Sequence, residues 1–336
     1  MISLLSFIFA IGIAVLIHEF GHFIFAKRAG VYVQEFAIGM GPKIFSTKKG
    51  ETTYSIRLLP IGGFVSMAGE GIEFDVEVPR ERFIQEASWI NKFLIFFMGA
   101  GFNFLLAITL VFGINLSQGV PSNEPIIGEL VIDGAAMDAG LKEGDILLEI
   151  DGTKISKWED IAATIDDQLL VKIDRNGTIL EIDVTPIYSE EGERYYLGIN
   201  SSTETNIVKS FTNAIMSTFD SIRQMFAIIG GLISGDIDSK HLAGPAGIYQ
   251  MAGRAASAGI ISLLSFTAFL SINLGFVNLL PIPALDGGRI LILLFEGITR
   301  KRINEKLELR LQVIGFSLMI MLLIYATYND ILRFFQ

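Results

Sequence analysis

The chain contains no cysteine. Disulfides, thiolate metal sites and a thiol nucleophile are therefore excluded, and any bound metal has to be held by nitrogen and oxygen donors. Histidine is scarce too, with three in 336 residues. Charge is thin: only 18% of residues are Asp, Glu, Lys or Arg, below the about 25% of an average globular chain. Basic excess is missing, and the net charge of −10 argues against nucleic acid as a partner. Before residue 18 there is neither a basic n-region nor a small-residue cleavage site. The opening apolar run is thus expected to stay as a membrane span and not to be removed as a signal peptide.

Apolar residues fill the space, at 51% of the chain with a mean hydropathy of +0.52. A bilayer core of about 30 Å is crossed by roughly 20 helical residues, and segments 2–26, 93–116, 260–280 and 311–334 meet that length. A fifth stretch, 207–233, is apolar on one side with Lys209, Asp220 and Arg223 interspersed, which suits a helix lying along the membrane interface. Basic residues cluster in 27–92 (Lys27, Arg28, Lys43, Lys48, Lys49, Arg57, Arg80, Arg82, Lys92). They cluster again between the last two spans (Arg300, Lys301, Arg302, Lys306, Arg310). The positive-inside rule puts both clusters in the cytoplasm, and both termini and the acidic segment 121–205 outside.

Within that segment the sequence predicts a strand at 126–132, a short helix at 134–141 ending on glycine and a strand at 146–150. An Asp151-Gly152 turn, a helix at 158–168 and a hairpin around Asn176-Gly177 follow. That order resembles a PDZ domain, as does the run Ala139-Gly140-Leu141-Lys142-Glu143-Gly144-Asp145-Ile146-Leu147. Such domains take an extended peptide as an added strand. Residues 52–70 alternate apolar and polar up to a Pro60/Gly62-Gly63 break, the pattern of a β-hairpin. Coming straight after the first span, it suggests a loop that re-enters the membrane.

Two of the three histidines stand in His18-Glu19-Phe20-Gly21-His22, an HExxH pattern at the end of the first span. Positions i and i+4 share a helix face, so both imidazoles can hold one metal ion, with Glu19 beside it as a general base. An ionisable cluster at membrane depth is a functional site by default. A hydrolytic zinc site wants a third ligand and an open position, which leaves Asp, Glu or His241. Asp286 is the best candidate: it lies in Asn278-Leu279-Leu280-Pro281-Ile282-Pro283-Ala284-Leu285-Asp286-Gly287-Gly288, where prolines break the helix and glycines admit close backbone approach. Its structural alternative is a pair with Arg289. Asn278 can donate to a substrate carbonyl or orient a ligand. His241 reads as a surface residue, and Gly230-Gly231 as packing.

These motifs together resemble the site-2 protease family of intramembrane zinc metalloproteases, in its bacterial, single-PDZ branch that cleaves anti-sigma factors. The likeness extends to Pro60-Ile61-Gly62-Gly63-Phe64-Val65, similar to the family's re-entrant β-loop, and to Leu242-Ala243-Gly244-Pro245-Ala246-Gly247-Ile248. One departure stands in the second span, where Gly99-Ala100-Gly101-Phe102-Asn103 lacks the proline of the family's Gly-Pro-x-x-Asn and puts a kink in doubt. The resemblance implies an α-helical polytopic membrane protein of about four spans, with a membrane-re-entrant β-hairpin and one inserted extracytoplasmic PDZ domain. The expected divisions are 1–26, 27–92, 93–116, 121–205, an interfacial helix and linker over 207–257, a third span within 258–297, a basic loop at 298–310, and 311–334.

It further implies that His18, His22 and Asp286 hold Zn2+, that Glu19 is the catalytic base, and that Gly62, Gly63, Phe64, Asn278 and Pro283 meet the substrate. The implied setting is a bacterial cytoplasmic membrane. The implied substrates are pre-trimmed single-span membrane proteins, either anti-sigma factors or signal-peptide remnants, and the PDZ would take a peptide C-terminus. Two rival classes are an ion- or metal-coupled transporter and a non-catalytic PDZ scaffold. Four spans without an inverted repeat argue against the first, and the intact Glu19 against the second.

Overall fold

The structure is a computed structural model and describes residues 2–69, 77–132, 134–189, 194–237, 244–301 and 303–334. His241 and the first two residues of the 242–248 motif lie outside the described residues. The chain divides into two compact units, Met1–Ile114 with Ala214–Gln336, and Asn115–Asn213.

The first unit opens on helix α1 (Ile2–Arg28), an apolar run without proline. It stops where Gly30 takes φ +79° and Val31 N–H reaches back to Ala26 O, closing the helix end with a left-handed glycine. The buried residues of α1 are Ser6, Ala10, Ala14, His18, Gly21, His22 and Ala26, a single stripe of small side chains interrupted by the two histidines. Small residues let helix backbones meet in lipid, where burying apolar surface gives no advantage. Accordingly, a Cβ at Gly21 would overlap the Met98 carbonyl of helix α2 (Trp89–Gln118). Helix α2 runs unbroken past Ala100, so the missing proline leaves this span without a break.

Strands β1 (Val33–Lys49) and β2 (Thr52–Met67) pair antiparallel. The expected hairpin inside 52–70 is therefore corrected: the partner of 52–67 is the preceding segment, because the tight turn falls at Gly50 (φ +67°). Both strands bend sharply, and Phe36 has Val65 as one partner and Tyr54 as another, while 43–49 pairs with 52–57. Residues 63–67 thus form an edge with no second strand partner among the described residues. Glu35, buried between them, accepts from Ser55 Oγ (2.5 Å) and Arg57 (2.8 Å) and pairs with Lys43 (3.0 Å), which ties the bent segments together.

Helix α7 (Ile260–Asn278) ends just before Leu280-Pro281, since a residue preceding proline avoids the helical region. A non-helical link follows, with Ala284 at φ +81°, and helix α8 (Asp286–Thr299) begins on Asp286 itself. Helix α9 (Glu305–Phe334) meets this link so closely that a Cβ at Gly315 would overlap Pro283 O. Helix α5 (Ile207–Ser234) packs Ile222, Met225 and Ile229 against Ala107 and Leu110 of α2 and Ala268, Ile272 and Phe276 of α7. The expected linker up to 257 is in part helical: Pro245–Ser257 form α6, whose first turn is capped by Asp330 of α9 through Gly244 N (3.1 Å) and Gly247 N (2.9 Å). Helices α1, α2, α7 and α9 are long and apolar enough to cross a membrane.

The second unit holds short pairs β3 (Val120–Pro121) with β12 (Thr203–Glu204), β4 (Ile127–Leu130) with β11 (Ile199–Ser201), and β9 (Ile187–Ser189) with β10 (Arg194–Tyr196). Its main sheet has the order β6-β5-β7-β8, from β5 (Ile146–Ile150), β6 (Thr153–Lys154), β7 (Leu169–Arg175) and β8 (Thr178–Val184). Helices α3 (Ala135–Asp138) and α4 (Trp158–Ile161) are single turns, so the helix expected over 158–168 is much shorter than its pattern suggested. Ile127, Leu147, Ile150, Val171, Ile173 and Leu197 form the core. Buried Asp145 is held by Arg175 (2.7 Å) and by the Lys142 N–H (2.8 Å). Burial pushes its carboxyl up, but these partners outweigh burial and hold it below the usual carboxylate range.

Candidate metal centre

The first unit brings His18 and His22 of α1 to Asp286 at the start of α8. His18 Nε2 lies 3.1 Å from His22 Nε2, and Asp286 Oδ2 lies 3.2 Å from each. Donors 2.0–2.2 Å from one tetrahedral ion stand about 3.3–3.6 Å apart, so this near-equilateral triangle is slightly tighter than a zinc site and needs only a small opening to hold the ion. The protonation pattern agrees. His22 Nδ1 donates to Ile95 O (2.7 Å), which leaves its Nε2 with a lone pair facing the centre. Asp286 Oδ2 is buried and receives no hydrogen bond. A ring lone pair and a carboxylate oxygen at this separation repel unless a cation lies between them, so the donor set fits a metal ion.

Three glycines make the geometry possible. A Cβ at Gly99 of α2 would overlap His22 Nε2; Cβ atoms at Gly287 and Gly288 would overlap the carbonyls of Leu279 and Ile282. Glu19 sits half-buried next to His18, and strand β2 passes it at Gly63, where a Cβ would come within 3.6 Å of Glu19 Cγ. Asn278 at the end of α7 brings Nδ2 to 3.5 Å from His18 Nε2.

The other expected substrate contacts lie elsewhere around this core. Gly62 (φ +83°) forms the bend, with Met40 against it, and the Phe64 ring lies under Arg57, 4.8 Å from the guanidinium. Pro283 presents its carbonyl to α9. The Ile95 carbonyl and Ser271 carry no signal in the sequence, whereas Gly99 and Asn103 stand in the family-like glycine–asparagine motif of the second span without an assigned role at the metal. Asn103 Nδ2 lies 3.2 Å from His18 Nδ1, and Ser271 Oγ of α7 lies 2.9 Å from the Asn103 carbonyl. The available signal was the Gly99/Asn103 spacing of four in an apolar span, one helix face aimed at one place.

Two imidazoles, a carboxylate and an adjacent glutamate, on helices apolar enough for a membrane, define the class: a hydrolytic metal centre in a polytopic bundle. The signature of peptidase family M50 matches residues 6–322. The regulator of sigma-W protease RasP of Bacillus subtilis (strain 168) is 35% identical over 417 aligned residues, covering 99% of each chain. Zinc metalloprotease RasP of Bacillus licheniformis is 35% identical, covering 99% of each. That of Geobacillus kaustophilus (strain HTA426) is 36% identical, covering 99% of this chain and 98% of the relative. The chain belongs to peptidase family M50. It is a multi-pass membrane peptidase.

Proposed function

We propose that this protein is an intramembrane zinc endopeptidase that hydrolyses peptide bonds within transmembrane segments of pre-trimmed membrane proteins. The observation that carries this is the triangle of His18, His22 and Asp286 beside Glu19, on apolar helices. Zinc, when bound, supplies the Lewis-acid chemistry that makes water nucleophilic near neutral pH and polarises a scissile carbonyl. His18, His22 and Asp286 hold the ion. Glu19 takes the water proton and passes it to the leaving amine. Asn278 donates to the substrate carbonyl.

A transmembrane helix has to unwind before its backbone can be cut. The open edge at 63–67 supports a role in holding the unwound segment as an added strand, since Gly63 puts that edge beside Glu19. Exposed Met40, Ile44, Phe45, Leu58 and Leu59 at the far end of the hairpin support its re-entry into lipid. The basic residues of 27–92 and 300–310 support a cytoplasmic hairpin, with both termini and the 115–213 unit outside. We read that unit as a PDZ domain, on its four-stranded sheet, its single-turn helices and the 139–147 run. It either takes a trimmed C-terminus or excludes untrimmed ectodomains. The sigma-W role in a relative's name supports anti-sigma factors as substrates.

Purified wild type and Glu19→Gln, incubated with a single-span substrate, test the reading. Zinc in both with cleavage only by wild type is expected; equal cleavage, or no zinc, overturns it. Ser66→Pro is expected to block cleavage by disrupting the edge, and deletion of 124–200 separates filter (premature cleavage of intact substrate) from recruiter (weaker cleavage).

A further inference from the structure

His18 has two ring nitrogens, and the triangle uses one. The other, Nδ1, faces Asn103, whose side chain is fully buried on α2. A buried amide has to be hydrogen-bonded, and where such groups usually tie one helix to the next, here one of the two partners is the His18 ring. Its second partner is Ser271 of α7, also fully buried, with Oγ 2.9 Å from the Asn103 backbone oxygen and 3.3 Å from Oδ1. Gly275, one turn along α7, lies so near that its Cβ would stand 3.2 Å from Asn103 Cβ, so α7 backs closely onto Asn103.

An imidazole that gives its Nε2 lone pair to a cation keeps its proton on Nδ1. That N–H needs an oxygen opposite it, and an amide NH2 cannot serve. A half-turn of the Asn103 carboxamide exchanges its oxygen and nitrogen in place. Oδ1 then accepts from His18 Nδ1–H, and Nδ2 donates to Ser271 Oγ while the hydroxyl still donates to the Asn103 carbonyl. Ser271 can donate to or accept from the amide, so it accommodates both orientations. His22 has the equivalent acceptor in Ile95 O, a backbone group that cannot turn.

We infer that Asn103, anchored by Ser271, is the positioning residue that fixes the His18 proton on Nδ1 and aims Nε2 at the metal. The inference rests on the zinc peptidase reading and concerns metal affinity. The test uses the purified full chain, with zinc affinity from chelator competition and the visible spectrum of the cobalt-substituted protein. Losing a partner of this kind weakens metal binding by about 10–100-fold, so Asn103→Ala is expected to fall in that range with a changed cobalt spectrum. Asn103→Asp restores an acceptor for Nδ1–H and is expected to stay within about threefold of wild type; Ser271→Ala should lose less than Asn103→Ala. Asn103→Ala within about twofold of wild type, or Asn103→Asp as damaged as Asn103→Ala, overturns the inference. Zinc that binds wild type, is lost in His18→Ala and is unaffected in Asn103→Ala sinks this inference alone. Folded wild type that takes no zinc sinks the functional reading with it.

Discussion

The metal-bearing unit and the 115–213 unit are built on opposite packing rules. In the 115–213 unit the fully buried positions are large aliphatics such as Ile127, Leu147, Ile150 and Ile173. In the metal-bearing unit they are dominated by Ala10, Ala26, Ala37, Ala100, Ala107 and Ala252, joined by Asn103 and Ser271. Helix α9 meanwhile displays Ile314, Phe316, Met321 and Ile324 outward. Water drives large apolar side chains inward, whereas lipid does not, so membrane helices associate through close backbone contact and shared polar groups. A removed side chain should therefore break the first kind of core, and an added methyl the second.

The largest effect is expected from the smallest addition. Gly99→Ala puts a methyl group against His22 Nε2 and close to the His18 ring, so both imidazoles have to shift. A misplacement of order 1 Å near the chemistry costs about 100-fold in rate, so activity should fall at least that far, with zinc lost on analysis. Gly315→Ala acts from a distance: its methyl would overlap Pro283 O and push the link that delivers Asp286. A drop of about tenfold in activity, with faster zinc release, is expected. Leu147→Ala should do the reverse. It empties a buried site in the other core and should cost about 2–5 kcal/mol in that unit's melting transition while zinc content stays at wild type. Zinc loss in Leu147→Ala, or full activity in Gly99→Ala, would show that the contrast does not hold.

The metal-ligand candidates were legible because their chemistry is conspicuous: His18, His22 and Asp286 are costly in an apolar run, and prolines that break a helix and glycines that admit close backbone approach frame Asp286. The spans were legible from length and hydropathy alone. The partner of 52–67 was not, because alternation marks a strand without saying which neighbour it meets, and the turn glycine at 50 competed with Gly62-Gly63. Helix α4 was overread, since its pattern continues beyond Ile161 while the backbone does not. Gly99 and Asn103 were visible as a family-like pair but not what they meet, and Gly315 was not visible at all, because these residues matter through what stands opposite them in space and a single chain carries no record of that.

The smallest effect concerns the root of the hairpin, where charge does what small residues do deeper in. Glu51, beside the turn, accepts from Lys27 at the end of α1 (2.5 Å) and from two nitrogens of Arg82 (2.5 and 2.8 Å), and Arg82 also reaches Gly30 O (3.1 Å). The Arg82 hydrogen bonds, against the opposing effect of burial and with help from Lys27, hold the Glu51 carboxyl down at about 2. Its folded value is depressed, so the stabilisation is present above the ordinary carboxylate range and disappears as pH falls from about 5 through about 2. These groups are partly exposed, and solvent screening keeps the gain modest. Wild type should therefore melt a little above Glu51→Gln at pH 7 in detergent, and the gap should shrink steadily as pH falls toward 3 and narrow in high salt. A gap that persists at low pH would mean that Glu51 holds the hairpin root by shape and not by charge.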